Sequence, residues 1–184
     1  PNGREVNLAA VEELLLRVGR IVGKERTYLG SFPSEVRPEM VSEEAIALIK
    51  RLAGNRNITV GAQSGSERIL RAMHRGHTVG DVYRACEIIL RHGLVPNVDV
   101  IFGLPGETAE DRRQTIRLIE DLTSKGARVR THAFIPLAGT PLATAPPGEI
   151  DEETDRLLGT LARLGQQHGA RRSRSSRAHH SSQG

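Results

Sequence analysis

The sequence predicts an α/β fold: an incomplete parallel β/α barrel of four βα units, followed by a disordered C-terminal tail. Stretches that alternate polar and apolar residues with period two are interleaved with stretches of helical spacing. The repeat is about 30 residues, the length of one strand–helix unit. The boundaries carry helix-capping residues on one side and glycine stops on the other. Right-handed crossovers then place the helices on one face of the sheet, and four strands are too few to close an eight-stranded barrel.

Residues 1–6 are polar. Asn7 caps a helix running to about Gly23, with Leu8, Val11, Leu15, Val18 and Val22 on one stripe. Arg26–Phe32 (RTYLGSF) reads as the first strand, followed by the loop PSEVRPEM. Ser42 caps a helix in which Ala45, Ile46, Ile49 and Leu52 recur at helical spacing, and Gly54 ends it. Asn57–Gln63 (NITVGAQ) is the second strand. Ser64 with Glu67 forms a capping box for a short helix through Met73. After His74–His77, Thr78 starts a helix to His92, closed by Gly93. Asn97–Gly103 (NVDVIFG) is the third strand and opens into Leu104-Pro105-Gly106, where proline fixes φ and glycine permits a positive one. Thr108 with Asp111 caps a helix to Ser124, closed by Gly126. Arg128–Ile135 (RVRTHAFI) is the fourth strand. A Pro/Gly-rich loop reaches Gly148, and Asp151 caps a last helix bearing Leu157, Leu158, Leu161 and Leu164. The barrel domain is expected over residues 1–168, with a Ser/Arg/His-rich tail over 169–184.

The totals narrow the function classes. A chain of 184 residues supports one domain, and with 3% aromatic residues its core is aliphatic. Residues 171–184 hold four arginines and no acid, so the net charge of +4 belongs to the tail. A nucleic-acid face is therefore unsupported outside that tail. The single cysteine, Cys86, excludes an internal disulfide and a multi-cysteine metal site within the chain. It falls in the apolar helical series Val79, Val82, Cys86, Ile89, which makes it a core thiol. Neither a membrane-spanning run nor a secretory signal is visible, so a cytoplasmic protein without membrane partners is expected. The chain begins at Pro1 with no initiator methionine, which fits an excised piece of a longer protein.

Strand parity then points to a site. Ile58, Val60 and Ala62, then Val98, Val100 and Phe102, then Val129, Ala133 and Ile135 form the apolar, helix-covered face. The opposite face carries Thr59, Gly61 and Gln63; Asn97, Asp99 and Gly103; and Arg130, His132 and Phe134. A barrel interior is ordinarily filled by branched apolar side chains. This one is polar, so its groups either satisfy one another or hold a ligand.

GAQSGSERILRAMHRGHT (Gly61–Thr78), DVIFGLPGET (Asp99–Thr108) and AFIPLAGTPL (Ala133–Leu142) resemble the later strands of the radical S-adenosylmethionine (SAM) superfamily. The likeness is to the branch of tRNA and ribosomal-protein methylthiotransferases and cobalamin-binding radical SAM proteins. LGSFPSEVRPE (Leu29–Glu39) looks like the cobalamin-associated members in particular. The resemblance covers about Arg26 to Leu142 and implies a chain cut after the second strand of such a barrel. The family's CxxxCxxC motif for a [4Fe–4S] cluster is absent from the chain, as is its Gly-Gly-Glu motif.

What the resemblance implies is a fragment of an enzyme that generates a 5′-deoxyadenosyl radical, for methyl or methylthio transfer among other outcomes. The fragment itself would be inactive without the cluster segment. Gln63 and Asp99 would bind the SAM ribose, and Arg75 its carboxylate. Ser64 and Ser66 would offer a helix N-terminus. Ile101 and Gly103 would flank the adenine, and the backbone of Phe134, Ile135 and Pro136 would meet its edge. His132 and Arg130 face the interior as substrate contacts. No catalytic and no metal residue is assigned. The cofactors implied are SAM, a [4Fe–4S] cluster held elsewhere and, in the intact protein, cobalamin; the partners are an electron donor and an unidentified substrate. The residues leave alternatives open: Asp99 paired with Arg130, a solvated Arg75, serines that only cap, Gly103 as a tight turn, and Glu107 favouring a helix N-terminus. His74 and His77 form an HxxH pair without an evident third ligand. GLPGET lacks the Lys-Ser/Thr of a P-loop. The competing reading is a non-enzymatic β/α module for a nucleoside or a protein.

Overall fold

The computed structural model describes residues 6–163. The elements are α1 (Leu8–Val22), α2 (Glu43–Leu52), β1 (Asn57–Gln63), α3 (Glu67–Ala72), α4 (Val79–Arg91), β2 (Val95–Phe102), α5 (Ala109–Ser124), β3 (Arg128–Ala133) and α6 (Glu152–Arg163). Short 3₁₀ turns lie at Lys24–Arg26 and Pro38–Met40. The strands form one parallel sheet in the order β1-β2-β3. This is the α/β architecture of strand–helix units that the sequence implies, with three regular strands rather than four.

Local chemistry explains the starts of the helices. Asn7 Oδ1 accepts from Ala10 N at 3.0 Å, and Ser42 Oγ accepts from Ala45 N at 3.2 Å. Thr78 and Thr108 build full capping boxes, with Asp81 and Asp111 accepting in return from the cap N–H at 2.8 Å. In the short α3 the cap is Ser66, which accepts from Ile69 N, and not Ser64. Glu67, the expected partner of Ser64, instead accepts from Val79 N at 2.7 Å and ties α3 to the start of α4.

The helix-covered face is the core. Val98, Val100, Phe102 and Val129 pack with Val82 and Cys86 of α4, Leu118, Ile119 and Leu122 of α5, and Leu158 of α6. Ile58 and Val60 pack with Leu15 of α1, Ile46 and Ile49 of α2, and Ala85 and Ile89 of α4. Burial alternates along β2, as a strand covered on one face requires.

Three expectations need correction. Arg26–Phe32 is not a regular strand, because Gly30 has φ +65° and breaks the extended run. The segment still lies beside β1: Thr59 N donates to Gly30 O (2.7 Å), Val36 N to Thr59 O (2.8 Å) and Gly61 N to Val36 O (3.0 Å). Regular pairing there shrinks to one parallel bridge, Val36 with Val60. Asn55 replaces part of the missing ladder, accepting from Leu29 N at 3.2 Å and donating to Leu29 O at 2.9 Å. Secondly, β3 stops at Ala133, so parity no longer applies to Ile135, which is 70% exposed while Phe134 is buried. Thirdly, α2 is closed by Ala53 rather than Gly54. The expected tail and Leu164 lie outside the described residues. Among the described residues no helix is long and apolar enough to cross a membrane.

Candidate functional site

The register of the sheet assembles the polar face. Gly61 of β1 sits beside Asp99 of β2, and Asp99 beside Arg130 of β3. Arg130 grips Asp99 through both Nε and Nη2, each at 2.7 Å, a two-point fork suited to a carboxylate. The Phe32 ring lies 4.7 Å from that guanidinium and is itself 69% exposed. The segment between Gly30 and Val36 therefore reaches from the β1 edge across the polar face to β3.

At the C-terminal end of β1 the register slips between Gly61 and Gln63, and Gln63 takes φ +67°. Gln63 Nε2 donates to both oxygens of Glu35, at 3.1 and 3.2 Å. A side chain at Gly61 would meet the Gln63 amide at 2.8 Å, so the close approach of Glu35 and Gln63 requires glycine there. Arg75 Nη2 donates to Gly61 O at 3.2 Å. Arg37 Nη2 joins Glu39 Oε1 at 2.7 Å to the carbonyl of Arg75 at 2.8 Å. His77 is buried, with Nε2 3.1 Å from Ala62 O, and a carbonyl partner requires that nitrogen to carry the proton. Its Nδ1 lies 3.9 Å from Glu39 Oε2. Burial pushes the Arg75 guanidinium below its ordinary value, and Glu35 and Glu39 act in the opposite sense.

The structure thus brings Gln63, Arg75, Asp99 and Arg130 to one face, with the paired Asp99–Arg130 arrangement realised. Asp99 still has capacity, since a carboxylate accepts up to about four hydrogen bonds. His132 belongs to the same strand face as Arg130 and is exposed. Ser64 is elsewhere. It is buried between α3 and α5, 3.3 Å from Thr115 Oγ1, and accepts from Ser66 N at 3.1 Å. Ser66 donates to Asp111 at 2.6 Å. Ile101 packs with Phe134, Ile69 and Leu104 in a small apolar cluster above the strand ends. The backbone of Phe134 is committed within the chain, its N to Phe102 O at 2.9 Å and its O to Gly148 N at 2.8 Å. Ile135 is exposed and Pro136 half-buried. Gly103 has φ +73° and abuts Gly148, which is the tight-turn role. Glu107 accepts from Gly103 N at 2.7 Å, and burial pushes its carboxyl up. His74 is exposed while His77 is buried, and the described residues hold no cluster that could bind a metal.

Phe32, Glu35, Arg37 and Glu39 escaped attention in the sequence because they lie in an apparent surface loop. The available signal was the alternation of charge in PSEVRPE, with Glu35, Arg37 and Glu39 at every second position. Cys86 is buried, which pushes its thiol up to about 12. Native protein is expected to resist iodoacetamide at pH 8 and to react fully once unfolded in urea, as mass spectrometry would record.

A three-stranded parallel sheet backed by helices, with polar side chains on its other face, is the α/β architecture of strand–helix units. The chain belongs to the radical SAM superfamily: the family profile of that description matches residues 3–119. The tRNA-2-methylthio-N(6)-dimethylallyladenosine synthase of Sulfurihydrogenibium sp. (strain YO3AOP1) is 30% identical over 157 residues, covering 83% of this chain and 34% of that protein. Among solved structures, the radical SAM coproporphyrinogen III oxidase HemN of Escherichia coli superposes with a TM-score of 0.65 at 20% identity, over 88% of this chain and 37% of that one. The cobalamin- and [4Fe–4S]-bound radical SAM methyltransferase TsrM of Kitasatospora setae superposes with a TM-score of 0.59 at 21% identity, over 73% and 25%. These two structures share the fold. The chain spans 29% to 36% of the lengths of three curated relatives.

Proposed function

We propose that this chain supplies the later-strand wall of the SAM and substrate pocket of a radical SAM enzyme, for methyl or methylthio transfer. The supporting observation is the placement of Gln63, at the end of β1, and Asp99, within β2, on one face beside Arg75, whose Nε is buried and without a hydrogen-bond partner among the described residues. An unused buried guanidinium donor beside hydrogen-bonding strand residues fits a ligand that joins a carboxylate to a diol. Arg75 would take the SAM carboxylate, and Asp99 and Gln63 the ribose hydroxyls. Arg130 orients Asp99 and, with His132, lines the substrate side. When bound, SAM supplies the 5′-deoxyadenosyl group that becomes the hydrogen-abstracting radical.

The [4Fe–4S] cluster does not fit this chain. Its one cysteine is buried in α4 among Val82, Val98 and Leu118. The cluster, its cytoplasmic electron donor and any cobalamin would be held by other parts of the intact enzyme, and the chain alone is inactive in this reading. Calorimetric titration with SAM tests it. Asp99→Ala and Gln63→Ala are each expected to weaken binding about tenfold, the equivalent of about 1.4 kcal/mol. Wild-type affinity in both variants would refute the ribose assignment.

A further inference from the structure

We propose that Glu35 is a positioning residue that turns the Gln63 side-chain amide so that its oxygen faces the ligand, which makes the site selective for a vicinal diol; the inference rests on the ribose role given to Gln63 above. Gln63 Nε2 lies 3.1 and 3.2 Å from the two oxygens of Glu35 and donates to both. An ionised carboxylate can only accept, so the opposite amide orientation would set Gln63 Oε1 against two acceptors. The contact therefore decides which way round the amide stands. Gln63 Oε1 has no hydrogen-bond partner among the described residues, and it is not one of the buried atoms left without one. That oxygen is the acceptor which this residue, only 7% exposed, still presents.

The backbone and a neighbouring glycine build the contact. Val36 N donates to Thr59 O at 2.8 Å and Gly61 N to Val36 O at 3.0 Å, which holds the residue after Glu35 against β1. Gly61 leaves the room in which the two side chains meet. A Cβ there would stand 2.8 Å from both Gln63 Nε2 and Glu35 Cδ, and closer still to Glu35 Oε2. Gln63 itself is held at φ +67°, a conformation that side chains rarely adopt and that recurs where ligands are gripped. Asp99, in register with Gly61, is likewise an acceptor. Two acceptors call for two donors on the ligand, which a ribose supplies through its 2′- and 3′-hydroxyls. A nucleoside whose hydroxyls are alkylated or missing leaves both acceptors unpaired. Glu35 is exposed, so replacing it leaves the core intact.

Calorimetric titration with SAM and its 2′,3′-dideoxy analogue, which keeps the adenine and the amino-acid end, tests this. Wild type is expected to prefer SAM. Gln63→Ala should cut that preference about tenfold and Glu35→Ala about fivefold, with the dideoxy affinity unchanged in both. A preference cut by Gln63→Ala but undiminished in Glu35→Ala would overturn the positioning role and leave the ribose role standing. A preference untouched by Gln63→Ala would refute the ribose role itself. Equal weakening of both ligands in Glu35→Ala would show that Glu35 merely supports the fold, and would also overturn the proposal. Exchanging the two groups adds a readout that loss of structure cannot imitate. Gln63→Glu alone sets two carboxylates against each other and is expected to weaken SAM binding about tenfold or more. Adding Glu35→Gln restores a donor–acceptor pair with an oxygen still facing the ligand, and should return SAM affinity to within about threefold of wild type. No recovery in the double variant would overturn the proposal.

Discussion

Asp111→Ala is expected to remove about 3 kcal/mol of folding stability. Asp111 is buried at the first turn of α5 and joins that helix to α3. It accepts from Ser66 Oγ at 2.6 Å, from Arg68 Nε at 3.3 Å and a second Arg68 nitrogen, and from Thr108 N at 2.8 Å. Half-exposed Arg68 can return to water when its partner is lost, so the ion pair itself contributes modestly. The cost comes mainly from stranding the Ser66 hydroxyl and from losing the Thr108 capping box at a buried junction. Arg68, Ser66 and Thr108 together hold the Asp111 carboxyl well below the usual carboxylate range. A carboxyl depressed in the folded state stabilises the protein fully above its unfolded value, about 3.9, and loses that contribution as pH falls further. Urea midpoints measured between pH 6 and pH 2 should therefore fall more steeply for wild type than for Asp111→Asn. Parallel slopes would show that Asp111 does not carry the acid sensitivity.

Gly103→Ala is expected to cost about 3 kcal/mol and to loosen the loop after β3. The φ of +73° already disfavours a side chain, and a Cβ there would stand 2.5 Å from Gly148 Cα and 2.7 Å from Glu149 N. Both are backbone atoms that cannot rotate away. Gly106→Ala is the control, because Gly106 has a similar φ of +75° but nothing within 4 Å of a new Cβ. It should cost about 1 kcal/mol, the backbone component alone. Limited proteolysis near Gly148 should rise in Gly103→Ala and remain at the wild-type level in Gly106→Ala. If the two variants are equally stable, the packing of Gly148 on Gly103 has no weight.

The sequence disclosed the parts of this molecule that depend on local pattern. Period-two alternation placed Val98, Val100 and Phe102 against the helices and Asp99 opposite, and the contacts of β2 agree. Thr78 and Thr108 announced their helices because the cap and its Asp partner lie three residues apart. What escaped depends on long-range packing. RTYLGSF has strand composition, yet Gly30 turns it, and its partners Asn55 and Thr59 lie more than twenty residues away. Ser64 looked like a ligand-facing cap, but the α5 residue Thr115, remote in sequence, claims it. Glu39 and His77 meet only because the 3₁₀ turn at Pro38–Met40 is folded against α4.

The sheet order β1-β2-β3 follows chain order without interruption. Each strand therefore finds its neighbour one or two helices away, and the loops to be closed during folding are short. Such a ribbon can grow by accretion as the polypeptide leaves the ribosome, each unit docking on the one before it. On the β1 flank the place of a further strand is already held by the segment from Gly30 to Val36, whose backbone pairs with Thr59 and Gly61.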